Sequence, residues 1–182
     1  GVLGRKLKLV RVTNRGLPGA RNTALMQASG QAFLPLDADD WVDHRFIEKT
    51  LPLLSDADVV LTGLQEHGEV RNGCYMPGYD RPHDQVTEET LWQYNRFFYC
   101  ALFRTGVLRG VGGYNTKMAG GFGVSGGYED WDLWIDLKRR GARFAAVNEP
   151  LLNYTTKAES MLVAAERNRD VLVAEMRRHH NA

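Results

Sequence analysis

Two cysteines in 182 residues, Cys74 and Cys100, are too few and too far apart for a disulfide framework. Neither has a metal-ligand spacing, so both read as reduced thiols in a cytosolic protein. The sequence also lacks any apolar run near the ~20 residues that a membrane-spanning helix needs. No secretory signal opens the chain, which begins Gly1-Val2-Leu3-Gly4. With Gly rather than Met in first place, the sequence reads as a fragment. An excess of one charge is missing too. There are 23 Lys and Arg against 22 Asp and Glu, a net charge of +1, so no field gathers nucleic acid or an acidic surface. The one basic cluster, Arg177-Arg178-His179-His180, reads as a solvated tail, and the five histidines show no ligand-like spacing. The expected location is cytoplasmic, with peripheral attachment to a membrane left open.

What is present fits one globular domain, residues 1–182, with 43% hydrophobic and 25% charged residues. Leu7–Val12 alternates apolar and basic residues and predicts a strand. A turn over Asn14–Gly19 leads into a helix over Ala20–Ser29, with Pro18 in its first turn and Gly30 as its stop. Strands are expected at Ala32–Leu36 and Ala57–Leu61, with a helix over Phe46–Leu54 between them. The polar stretch Glu66–Pro82 is a hairpin or a long loop. A short helix capped by Thr87, a strand at Tyr99–Phe103 and a helix over Thr105–Val111 follow. Glu129–Arg140 carries the strongest helical pattern, with Gly141 after its end. A strand over Phe144–Val147, a break at Pro150 and one amphipathic helix over Ser160–Arg178 complete the chain. Strands alternating with helices imply an α/β fold with a largely parallel sheet and a crevice at its strand ends.

Three short stretches could carry chemistry. Asp37-Ala38-Asp39-Asp40 directly follows an apolar strand. Crowded carboxylates repel one another unless a cation joins them, and Mg²⁺ or Mn²⁺ with a substrate diphosphate is the usual solution; a turn with a helix N-cap is the plain alternative. Asn14-Arg15-Gly16-Leu17-Pro18-Gly19-Ala20-Arg21-Asn22 offers glycines, an Arg and a helix N-terminus, which suit a phosphate. It is neither a Walker loop nor a dinucleotide fingerprint, and taken alone a simple loop-to-helix junction accounts for it better. Glu129-Asp130 opens a helix behind a stretch with five glycines, Ala119–Gly127. The helix dipole alone favours acids there by roughly 0.3–1 kcal/mol. The functional alternative is a base beside a loop that closes over substrate.

In this order, the stretches resemble the family-2 glycosyltransferases of the GT-A fold, a Rossmann-like sheet flanked by helices. Leu102–Asn115, Glu129–Leu137 and Glu149–Tyr154 continue the likeness, which covers about residues 8–160. The resemblance implies an inverting transfer of a sugar from a nucleoside-diphosphate donor, by default a UDP-sugar, to an acceptor hydroxyl. Asn14, Gly16, Arg21, Asn22 and Asp37 would border the nucleotide. Asp39, with Asp37, would hold Mn²⁺ or Mg²⁺, and Asp130 beside Glu129 would be the general base. The acceptor would be a glycan, a lipid-linked sugar or a protein, as in polysaccharide biosynthesis.

The chain departs from the family in two places. It opens at what corresponds to the third strand, so the first strand-helix-strand segment of the nucleotide-binding half is missing. The sheet edge left exposed makes a homodimer an expectation. In many relatives Arg-x-His follows the position of Tyr154, and the His reaches the metal; here Thr155-Thr156-Lys157 stands instead. Lys157 then brings a fixed positive charge to the diphosphate or is a plain surface residue. Trp131, next to the base, is either core or a platform for the acceptor sugar. Two other readings stand beside the transferase. One is an inactive truncated relative that binds glycan or serves as an assembly partner. The other is a haloacid-dehalogenase-type phosphatase, for which the downstream Gly-Asp pair is lacking.

Overall fold

A computed structural model describes residues 7–68, 71–78, 82–120 and 126–181. In chain order the elements are helix α1 (Gly16–Gln27), strands β1 (Ala32–Phe33) and β2 (Trp41–Val42), and helix α2 (Phe46–Thr50), prolonged by a 3-10 turn over Leu51–Ser55. Then come strands β3 (Val59–Gly68) and β4 (Cys74–Tyr75), helix α3 (Glu88–Gln93), strand β5 (Leu102–Arg104) and helix α4 (Thr105–Gly110). Helix α5 (Glu129–Arg139), strand β6 (Phe144–Thr156) and helices α6 (Met161–Arg167) and α7 (Arg169–Asn181) close the chain.

Helix α5 organises the rest. Leu133, Ile135 and Leu137 are buried, each contributing roughly 1.5–3 kcal/mol, beside the buried rings of Trp131 and Trp134. Trp134 stacks on Phe103 and meets Phe97 edge-on, which locks the helix to the sheet. The same helix also buries Glu129, Asp132 and Asp136, a cost met by Arg21, by His179 and His180, and by Arg140. Gly141, at φ +73°, ends it: its N–H reaches Lys138 and that of Ala142 reaches Leu137.

The sheet order is β1-β5-β3-β6-β2, with β4 paired to β3. Alternate residues of β3 face opposite sides. Val59 and Leu61 join the large cluster with α1, α3, α4, α5 and α7, while Val60 packs with Phe46, Leu54 and Leu151. Helices on both faces make this the expected α/β architecture. The sheet is mixed rather than largely parallel, however. The long β3–β6 ladder is parallel, and the other four pairings among the described residues are antiparallel.

Four expectations about elements need correction. Leu7–Val12 is not a strand; Leu7 and Leu9 are 82% and 74% exposed, and no described strand lies beside them to pair with. The Ala32–Leu36 strand shortens to β1, because only Ala32 and Phe33 find partners on β5. Pro150 does not break its strand. It sits opposite Gly63 where the β3–β6 register shifts, so the missing N–H falls at a bulge and the ladder resumes with Leu64 opposite Leu152. The last helix is two, because the Asn168 side chain turns back to the Ala164 carbonyl and interrupts the run. The polar stretch after Glu66 resolves in favour of the hairpin, with β4 antiparallel to β3. Residues 121–125, the centre of the glycine-rich stretch expected to close over substrate, lie outside the described residues.

Candidate active site

Strand β1 delivers the chain into the Asp37–Asp40 turn, closed by the Asp40 N–H on the Asp37 carbonyl. Asp40 anchors the turn from below. Its carboxylate accepts from the Tyr99 hydroxyl at 2.6 Å and from the Thr155 N–H at 2.7 Å, while Tyr99 in turn accepts from the Asp37 N–H at 3.1 Å. Burial raises Asp40 above the usual carboxylate range, the Tyr99 and Thr155 donors opposing. With Asp40 held from below, Asp37 and Asp39 line the cleft.

Arg21 crosses that cleft. One guanidinium nitrogen meets Asp37 Oδ1 at 2.9 Å and another meets Glu129 Oε1 at 2.6 Å. Arg21 is 6% exposed, with its charge over the rings of Tyr99 and Tyr114. The next residue, Asp130, accepts from Asn95 Nδ2 at 3.1 Å. Burial pushes the Glu129 carboxyl up to about 7, the adjacent Asp130 charge adding to the rise and Arg21 opposing it. Burial likewise raises Asp130. Asp37, Asp39, Glu129 and Asp130 therefore line one cleft of about 1270 Å³. Lys157 stands at its rim with Nζ 2.5 Å from Asp39 Oδ2. That contact lowers Asp39 and raises Lys157.

A family profile, Glycosyl transferase family 2, matches residues 3–112. The chain belongs to that family. No curated protein sequence matches it. Among solved structures, S. aureus TarS 1-349 in complex with UDP-GlcNAc is similar, with a TM-score of 0.57 at 17% identity, covering 86% of this chain and 43% of that one. The mannosyltransferase PcManGT from Pyrobaculum calidifontis, in complex with GDP-Man and Mn²⁺, gives 0.54 at 20% identity, covering 85% and 41%. Both likenesses establish the GT-A fold, and the chain spans less than half the length of either relative.

Within this family-2 fold the other expected site residues are scattered. Asn22 does not line the cleft. Its amide donates to the Tyr114 carbonyl and accepts from the Tyr114 N–H, a clamp between α1 and the segment after α4. Asn14 accepts from the Gly16 N–H at 2.9 Å and shapes the turn into α1. Gly16, at φ +71°, lines a smaller neighbouring hollow of about 450 Å³; a Cβ there would sit 2.6 Å from that of Ala119. Trp131 is 2% exposed, with its indole N–H on the Leu91 carbonyl and Arg169 over its ring, so it is a packed wall rather than an open platform. Sequence reasoning missed Asn95 and Tyr99. Neither belongs to a motif; only the long-range fold brings them beneath the carboxylates.

Proposed function

We propose that the chain forms the catalytic part of an inverting glycosyltransferase. It would move a sugar from a nucleoside-diphosphate donor, a UDP-sugar by preference, to an acceptor hydroxyl. The observation that carries this reading is the Arg21 bridge between Asp37 and Glu129, which holds the strand-end carboxylates and Asp130 on one cleft. Asp130 accepts the proton of the acceptor hydroxyl as its oxygen attacks the anomeric carbon. The bond from that carbon to the diphosphate oxygen breaks, and the nucleoside diphosphate leaves with the electron pair from the opposite face. A carboxylate raised by burial is a stronger base than one in water, which suits it to this proton near neutral pH.

The donor set fits a divalent cation. Arg21 meets Asp37 through Oδ1 and Lys157 meets Asp39 through Oδ2, so each carboxylate has a second oxygen to offer. Two carboxylates and a diphosphate are a usual Mg²⁺ or Mn²⁺ shell. Asp39 and Asp37 would hold the ion, which supplies Lewis-acid stabilisation of the leaving diphosphate when bound. Lys157 adds a fixed positive charge beside Asp39 at the same end of the cleft.

The decisive comparison is the parent with Asp130→Asn, reading UDP binding by calorimetry in Mn²⁺ and sugar transfer or donor hydrolysis in parallel. Equal UDP affinity with turnover lowered on the order of 100-fold or more is the expected result. Parent-like turnover in the variant removes Asp130 from the base role. A parent that binds no UDP favours a glycan-binding or assembly role instead.

A further inference from the structure

The C-terminal histidines, read from the sequence as a solvated tail, are held against α5, with His179 partly exposed and His180 buried. The His180 side chain is 2% exposed and packs edge-on against Trp92, with ring centroids 5.5 Å apart. Its Nε2 lies 3.1 Å from Asp132 Oδ1. His179 Nδ1 lies 3.3 Å from the same oxygen and 3.0 Å from Asp132 Oδ2. Adjacent residues on a helix normally point about 100° apart and do not share a target. Here both rings turn onto one buried carboxylate at the end of α7, with centroids 4.8 Å apart. The three ligand atoms lie within 4.8 Å of one another.

We propose that Asp132, His179 and His180 form a binding site for a late first-row transition-metal cation, with Zn²⁺ as its reference occupant, outside the transferase cleft. Two imidazoles and one carboxylate are the ligand chemistry that Zn²⁺ takes. Two ligands each about 2.0–2.1 Å from a tetrahedral centre are about 3.3 Å apart, close to the separations of Asp132 Oδ1 from the two ring nitrogens. The half-exposed His179 leaves room for water as a fourth ligand. Glu88, the nearby acid, is already held by Arg139 and the Trp92 indole. The Arg139 guanidinium also donates to the His180 carbonyl, fixing the end of α7 on α5. Asp132 lies two residues beyond Asp130 on the same helix, so a bound ion would staple α7 to the helix that presents the base. None of the three lines the cleft, and the site is independent of the transfer reaction.

The test titrates Zn²⁺ alone into metal-free protein by calorimetry. Co²⁺ absorption reports nitrogen ligation, and thermal unfolding is followed with and without Zn²⁺. The parent and Asp39→Asn, which disables the cleft carboxylate, are expected to bind one Zn²⁺ per chain equally. His179→Ala removes a partly exposed side chain and keeps the fold, and Asp132→Asn keeps the shape; both should weaken binding about 10-fold or more. Zn²⁺ should raise the melting temperature of the parent but not of His179→Ala. No Zn²⁺ binding by the parent, binding lost in Asp39→Asn, or binding unchanged in His179→Ala would each overturn the site.

Discussion

Arg21 answers two carboxylates that arrive from different parts of the chain, Asp37 after β1 and Glu129 at the head of α5. The resemblance assigned it to the nucleotide, and no motif announces that it joins the two acidic sites. That role depends on α1 crossing the cleft, which is tertiary information. What the sequence did make legible at this scale was the pairing of acids. Asp37, Asp39 and Asp130 line one cleft, as the order of motifs implied. The sign of the pH effect follows from burial. Glu129 goes from an ordinary 4.5 to about 7 on folding, and Asp130 shifts upward with it. Between those values the unfolded chain has released protons that the folded chain keeps, so stability falls as pH rises from about 4.5 through about 7. Asp39, Asp58 and Glu88 are shifted downward, so their contribution is lost only at lower pH, as pH falls through their depressed values. On the proposed mechanism activity runs the other way, since Asp130 would act in its ionised form, and kcat/KM should show an acid limb set by the coupled pair. Arg21→Met withdraws the cation that opposes this shift. It should move the limb to higher pH and, by leaving the buried Glu129 carboxylate unpaired, cost about 3–5 kcal/mol of stability. A pH–rate profile and urea unfolding on parent and variant check both. A limb that stays in place excludes the coupling.

Elements were legible in proportion to how far their signals are local. Helix α5 matched its pattern to within one residue because apolar spacing, acids in the first turn and a terminal glycine all act within the helix. The hydrogen-bonding partners of Thr87 and Ser160 are likewise local, and both cap the helices they were expected to begin. Leu7–Val12 failed for the opposite reason, since alternation makes a strand only where another strand lies alongside. Pro150 misled because its tolerance is decided across the ladder. Gly63 faces it, and a Cβ on Gly63 would lie 2.7 Å from the Tyr75 carbonyl oxygen and 2.9 Å from that of Glu149. Backbone atoms cannot move aside as a flexible side chain can. Gly63→Ala should therefore cost about 1–3 kcal/mol by overpacking at the bulge. Gly106 in α4 has open space around it, and Gly106→Ala should be neutral or stabilise by up to about 1 kcal/mol. Urea midpoints for the two variants, at unchanged m-value, measure the contrast. Equal midpoints would mean that the bulge does not constrain Gly63.

At the scale of the molecule, the cleft is where distant parts of the chain meet. One wall comes from α1, the Asp37–Asp39 turn and the end of β6, which bonds that turn through Thr155 and Lys157; the other comes from α5 and α6. The β3–β6 ladder and the core around Trp134 run beneath both walls, so neither has a core of its own. The α/β class was legible from the alternation of elements, whereas the mixed sheet was not, because strand direction depends on which neighbours pair. A shared core predicts one cooperative unfolding transition. A ligand seated in the cleft should then stabilise the whole chain. At one hundred times its dissociation constant, UDP with Mn²⁺ would add about 2.7 kcal/mol by mass action. For a chain of this size each kcal/mol raises the melting temperature by roughly 2–4 °C, so the single transition should shift upward by about 5–11 °C. Scanning calorimetry reads both the number of transitions and the shift. If two transitions appear and only the earlier part of the chain responds to UDP, the Arg21 bridge does not couple the two walls, and a base carried on α5 would have no fixed position relative to the donor.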